Sequence, residues 1–380
     1  MRIDSVELFP VQTPREQGSS HRHVLVRLTS DTGHTGWGEM SDISHPPAYD
    51  FELNSLQQVL RTILLGRDPC NLVALERDVL DRFPEEHYLY SMSALVRCGV
   101  DIALHDLAGQ ILGLPVATLL GGQVRDRIKV CYPIFRQTSA ESIERNLQRV
   151  GEKLAQGFDL FRVYVGGQPE LDLRFLQALR RVYGDRVRIK SLDFSGTLHW
   201  RASLALLERL REPADPLLVE SPCPKQDLDG YVEFRRRSPL PVSEHIFNLS
   251  HGYELARCGA VDIFNIAPFC VGGLRAAVRL FHLAQASGRQ CLIGTTQEAG
   301  IGTAAVAHLG AAMPNLDWSC DNTGPQLYTA DVLQAPLRYE DGYLILPQGP
   351  GLGVSVDELR VRSLAPDTPL PVRAHPAEER

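Results

Sequence analysis

The feature that most constrains this chain is a rhythm. From about residue 128 onward, short apolar runs alternate with helix-length patterned stretches. Candidate strands fall at 128–132, 160–165, 187–192, 217–219, 241–243, 261–266 and 290–293, with a weaker one near Leu316. Helical patterns occupy 139–156, 170–183, 201–211, 250–258, 272–287 and 300–311 between them. Regular βα alternation returns each strand in the same direction, so it builds a parallel sheet. Seven or eight units in about 195 residues imply a sheet closed on itself, a (β/α) barrel of modified TIM type.

Three of the candidate strands end in an acid: Asp193 in IKSLDFSG, Glu220 in LLVESPCP and Glu244 in LPVSEHIF. Their spacings are 27 and 24 residues, about one strand–helix repeat. Acids at the C-terminal ends of three successive barrel strands converge on one point. Converging carboxylates repel unless a cation sits among them, and hard oxygen ligands suit Mg²⁺. Taken singly, each acid also reads as a cap for the helix that follows its strand.

The opening residues have a different pattern. Residues 6–10, 23–28 and 34–39 read as a β meander, the last two paired around Ser30-Asp31-Thr32-Gly33. Helical patterns follow at 50–65 and 71–82, then a longer one from Ser91 to Leu112 that ends in Gly113 and Pro115. Residues 1–125 therefore form an α+β capping domain, rejoined by C-terminal residues 336–360 with a short hairpin at 336–346, and 126–335 form the barrel. The tail beyond 364 is rich in Pro and charge and reads as loose.

Composition excludes several functions. A net charge of −7 argues against nucleic acid as a partner. No stretch is long and apolar enough for a membrane span. The N-terminus MRIDSVELFP lacks the apolar core of a secretion signal. The eight cysteines include no CxxC pair, which disfavours zinc, and several sit in apolar runs. That usage fits a reducing, cytoplasmic setting.

A small α+β cap, a βα barrel and acids on strands three, four and five together resemble the enolase superfamily. Within it the chain is most similar to the mandelate racemase and muconate-lactonising branch. The likeness spans about residues 1–360 and includes VRCGVDIALHDLAGQILGLPVATLLGG, GAVDIFNIAPFCVGGL and GTTQEAGIGTAAVAHL. It implies an enzyme in which Asp193, Glu220 and Glu244 hold Mg²⁺, the substrate is a small-molecule carboxylate, and the charge of an enolate is stabilised. It also implies a homo-oligomer. His245, beside Glu244, is expected to border the metal, and Ser195 to support a ligand. The Gly-rich GIGTAA reads as a tight turn opening a helix.

The departures bear on mechanism. Many relatives end the second strand in Lys-x-Lys; here Arg162-Val163-Tyr164 stands there. Counting back from Gly272-Gly273, the sixth-strand position is Ala267, and the place of a catalytic His falls near Gly294. Arg162 cannot be a base because guanidinium stays protonated, but it can bind a carboxylate. Tyr164 could act only as phenolate, with its pKa lowered by Arg162 and metal. On strand alternation Lys190 points away from Asp193, and Lys225 reads as a surface residue.

The cap can supply what the barrel lacks. Its loops SDISHPPAY and PEEHYLY carry Ser44, His45, Tyr88 and Tyr90. In the related cis-3-hydroxy-L-proline dehydratases a hydroxyl residue and a tyrosine of the cap take the acid/base role. The counterparts here are Ser44 and either Tyr88 or Tyr90. The resemblance thus implies a dehydratase of a small β-hydroxy acid, with cis-3-hydroxy-L-proline the specific expectation. A cycloisomerase or racemase using Tyr164, or a metal-binding protein without turnover, are the alternatives.

Overall fold

The computed structural model describes residues 1–15, 18–44 and 52–366. His45 and the tail from 367 onward lie outside the described residues. Seven parallel strands follow one another around a single sheet in sequence order. They are Tyr132–Ile134, Leu160–Tyr164, Arg188–Asp193, Leu218–Glu220, Val242–His245, Ile263–Asn265 and Gln290–Leu292. Among the described residues no eighth strand completes the ring. Asp321 N donates to Ile293 O at 2.9 Å, and Cys131 N donates to Cys320 O at 2.9 Å, so this segment bridges the seventh strand to the first. The fold is a (β/α) barrel with an N-terminal cap.

Two boundaries differ from the sequence reading. Residues Arg127–Lys129 do not enter the barrel; they pair with the hairpin Tyr339–Glu340 and Tyr343–Ile345, and the barrel begins at Tyr132. Closure falls at Cys320–Asp321 rather than near Leu316, which packs against the core.

The cap is an antiparallel sheet, Ile3–Pro14, Ser20–Ser30 and Thr35–Met40, covered by the helix Met92–Leu112. That helix is buried on nearly every side, because the sheet covers one face and the barrel the other. Gly38 permits the approach: a Cβ there would lie 1.9 Å from Gly99 O. Ser91 caps the helix through Ala94 N at 3.2 Å, and Gly113 ends it in the left-handed conformation.

Cap and barrel are joined by carboxylates acting across the seam. The barrel helices Leu274–Ala286 and Gly300–Ala312 begin after Gly273 and Ala299, which offer no capping side chain. Asp101 of the cap helix accepts from Leu274 N at 2.6 Å. Glu39 accepts from Ala299 N at 2.7 Å and Gly302 N at 2.8 Å. Each acid satisfies orphan N–H groups and the positive end of the helix dipole. The Gly-rich GIGTAA segment therefore carries a cap carboxylate at its start.

Candidate active site at the barrel mouth

The C-terminal strand ends gather charge inside the barrel. Arg162, in the middle of the second strand, is buried. Its Nη1 lies 3.1 Å from Asp321 Oδ2 and 3.4 Å from Glu220 Oε1, and its Nη2 donates to Tyr164 Oη at 2.6 Å. Lys190 pairs with Asp321, and Cys131 Sγ donates to Asp321 Oδ1 at 2.8 Å. The expectation that Lys190 faces away is corrected. The pairing with the second strand runs Phe161↔Ile189 and then Arg162↔Ser191, leaving Lys190 as the extra residue of a bulge. A bulge breaks the two-residue period and re-aims the side chain.

Asp193 and Glu220 are register partners on adjacent strands. Ser195 N and Oγ donate to Asp193 Oδ1 at 2.7 and 3.2 Å, with Ser195 at φ +53°. Burial, and then the negative charge of Glu220, push the Asp193 carboxyl up to about 6, against Arg162 and Arg136. Glu220 goes the other way. Burial raises it, but Arg162, His245 and Lys190 outweigh burial and hold it well below the usual carboxylate range. Asn265 Nδ2 donates to Glu220 Oε1 at 3.0 Å, and His245 Nε2 lies 3.3 Å from the same oxygen.

The third acid takes a different course. Glu220 is paired with Ser243, so Glu244 is one residue out of step and His245 takes the inward place. Glu244 accepts from Tyr231 and pairs with Lys225, which is half-buried beside it rather than a free surface residue. Among the described residues no three His, Cys, Asp or Glu side chains are gathered closely enough to hold a metal ion. The expected convergence of three acids is thus seen for two of them, for the register reason given.

The sixth strand points Asn265 inward, while Ala267 lies beyond the strand, opening the short helix Pro268–Val271. A Cβ at Gly294 would lie 2.0 Å from Asn265 Oδ1 and 3.0 Å from His245 Cε1, so those two side chains fill the space a residue there would need. Asn265 and Asp321 went unread in the sequence. Only the polar interruption of an apolar run, as in DIFNIA, marks Asn265.

The cap loops separate the two tyrosines. Tyr88 is 38% exposed. Tyr90, held at φ +60°, turns inward, where Tyr164, Asp42 and Arg162 act on its phenol. Burial drives the Tyr90 pKa well above its ordinary value. Burial also raises Tyr164 more than Arg162 lowers it. Asp42 Oδ2 lies 2.9 Å from His21 Nδ1, and both are buried. Ser44, two residues on, is half-buried.

Residues 145–360 match the family described as Enolase C-terminal domain-like, and residues 1–121 match the mandelate racemase / muconate lactonizing enzyme N-terminal domain. The chain belongs to the mandelate racemase/muconate lactonizing enzyme branch of the enolase superfamily. It is an enzyme of that superfamily. Muconate cycloisomerase 1 of Rhodococcus opacus is 31% identical over 345 residues, covering 88% of each chain. An L-Ala-D/L-Glu epimerase of Bacillus subtilis is 27% identical over 352 residues, covering 91% of this chain and 92% of that one. The solved muconate cycloisomerase of Pseudomonas fluorescens superposes with a TM-score of 0.85 at 28% identity, covering 96% and 98%.

Enzymes of this superfamily branch are generally dependent on a divalent metal. Asp193 and Glu220 suit such an ion: they are adjacent carboxylates in a dry space, and their mutual repulsion shows in the raised Asp193. Glu244 is held instead by Lys225 and Tyr231.

Proposed function

We propose that this enzyme dehydrates a small β-hydroxy carboxylic acid by removing the α-proton and expelling the β-hydroxyl. The observation that carries this reading is Tyr90, brought from the cap to the mouth, opposite a barrel wall whose second and sixth strands present Arg162, Tyr164 and Asn265. A divalent ion, Mg²⁺ by its preference for carboxylate oxygen, would be held by Asp193 and Glu220, with Glu244 recruited, and would neutralise charge developing on the substrate carboxylate. The buried guanidinium of Arg162 and the nearby Arg136 supply fixed positive charge toward that carboxylate.

Tyr90 and Tyr164 keep their protons across the neutral range, so they serve as donors. Tyr90 is the donor assigned to the departing hydroxyl. The loop carrying Asp42 and Ser44 supplies the opposite need, a proton acceptor, with His21 orienting Asp42. Elimination with acid and base on one side needs no second base across the substrate, which disfavours a racemase.

The test is turnover of β-hydroxy acids, cis-3-hydroxy-L-proline among them, by the purified protein with Mg²⁺ and with EDTA. The expected result is metal-dependent loss of water. Turnover of none of them, beside formation of a lactone from an unsaturated acid, would instead establish the second reading. That reading is a cycloisomerase, favoured by the relatives so named. It is the same chemistry at the β-carbon run as intramolecular addition.

A further inference from the structure

The loop that delivers Tyr90 runs from Phe83 to Ser91, between two cap helices, and contains no helix or strand of its own. Side chains fasten it. From the cap, Arg97 Nη1 donates to Phe83 O at 2.7 Å, and Ser91 Oγ donates to the Glu86 carboxylate. From the barrel, Asn248 Nδ2 donates to Glu86 O at 3.2 Å, across 162 residues of sequence. The backbone N–H of Tyr90 is directed at the sulfur of Cys270, in the short helix Pro268–Val271. The loop is thus tied at its middle to the segment after the fifth barrel strand, and at Tyr90 to the segment after the sixth.

Asn248 is buried, and its side chain is used twice. Oδ1 accepts from His251 N at 2.8 Å and so caps the helix Leu249–Cys258, while Nδ2 takes Glu86 O. Its neighbours hold it in place: Phe247 lies flat on His251, with ring centres 3.8 Å apart and planes 13° from parallel. A helix cap needs only an oxygen, and Ser, Asp and Asn supply one about equally well. Of these only Asn carries a donor on a second atom. The amide nitrogen at 248 therefore does something that the cap does not require.

We infer that Asn248 is a positioning residue for Tyr90: it latches the cap loop 83–91 to the barrel and sets how far the phenol reaches into the mouth. The latch starts four residues beyond Glu244, so it ties the phenol to the same strand end that carries Glu244 and His245. Reacting groups must be held closely, and a displacement of about 1 Å costs on the order of a hundredfold in rate. This rests on the reading of Tyr90 as the proton donor, and adds the side chain that places it.

The test uses Asn248→Asp, which keeps the size and the capping oxygen but turns an acceptor toward Glu86 O, and Asn248→Ser, which keeps a cap but is too short to reach. Should Asn248→Asp not fold, Asn248→Ser decides. Amide hydrogen exchange of the full-length protein, read by mass spectrometry, is expected to quicken by about fivefold or more over residues 84–91 while 249–258 stays as in the wild type. On the acid that the enzyme turns over, kcat is expected to fall by about tenfold to a hundredfold with KM little changed. Added to Tyr90→Phe, Asn248→Asp is expected to cost nothing more, because both act through one hydroxyl. Unchanged exchange over 84–91, or equal quickening over 249–258, would overturn the inference and leave Asn248 as a cap alone. A loss of kcat that multiplies with that of Tyr90→Phe would overturn it too. Wild-type turnover by Tyr90→Phe would overturn the reading of Tyr90, and the inference with it.

Discussion

Asp193 and Glu220 share one dry space, yet they are not equivalent. Glu220 is compensated by Arg162, Asn265 and Lys190, whereas Asp193 bears the repulsion of its neighbour. A residue kept charged against its surroundings is held there for function rather than stability. Asp193→Asn is therefore expected to stabilise the metal-free protein by on the order of 1–3 kcal/mol, read by urea denaturation in EDTA, while turnover is lost. Loss of stability would show that Asp193 is a structural anion. Tyr90→Phe removes a single hydroxyl from a half-buried side chain. If Tyr90 is the proton donor, turnover falls by about 10²–10⁴ with the melting temperature little changed. Phe at 90 with wild-type rates would move the acid elsewhere.

At the scale of elements, the cap is held to the barrel by local chemistry that periodicity does not reveal. Asp101 and Glu39 cap helices that lie 173 and 260 residues away in sequence and begin after Gly273 and Ala299. Asp101→Asn or Glu39→Gln is expected to cost about 1–2 kcal/mol each, measured by denaturant unfolding. His308 is a second fastener. Ala117 N donates to its Nδ1 at 3.3 Å, and its Nε2 lies 3.1 Å from Leu352 O, an arrangement for neutral imidazole. Burial lowers its pKa from 6.5 to about 4, so the unfolded chain takes a proton that the folded chain refuses. Stability is then full above about pH 6.5 and falls toward pH 4, by roughly 3 kcal/mol from this residue. Unfolding measured from pH 7 to 4 should lose part of its slope in His308→Gln. Burial, and then Lys225, lower His251 to about 3, and that residue adds a slope of the same sign.

Across the whole molecule, what repeats in the sequence was legible. The βα rhythm foretold the barrel, and the acids at 193 and 220 foretold two register partners. What depends on a single displaced residue was not. The bulge at Lys190 turned a side chain inward, one step of register turned Glu244 aside, and ring closure by a segment that is barely strand brought Asp321 into the centre. Asn265 and Lys225 act through partners on other strands and loops, which no local pattern records. Nor does any local pattern record the left-handed backbone at Tyr90, which turns inward while Tyr88 stays exposed.

The central claim is that this mouth takes a proton from the carbon beside a carboxylate. The most direct measurement follows a panel of β-hydroxy mono- and dicarboxylic acids by proton NMR in D₂O, with the divalent metal present, for the wild type and for Asp193→Asn. The account predicts loss of the α-proton signal, by exchange or by elimination, for at least one acid with the wild type and none with the variant. An α-proton signal that persists across the panel, or that disappears equally with Asp193→Asn, would contradict it.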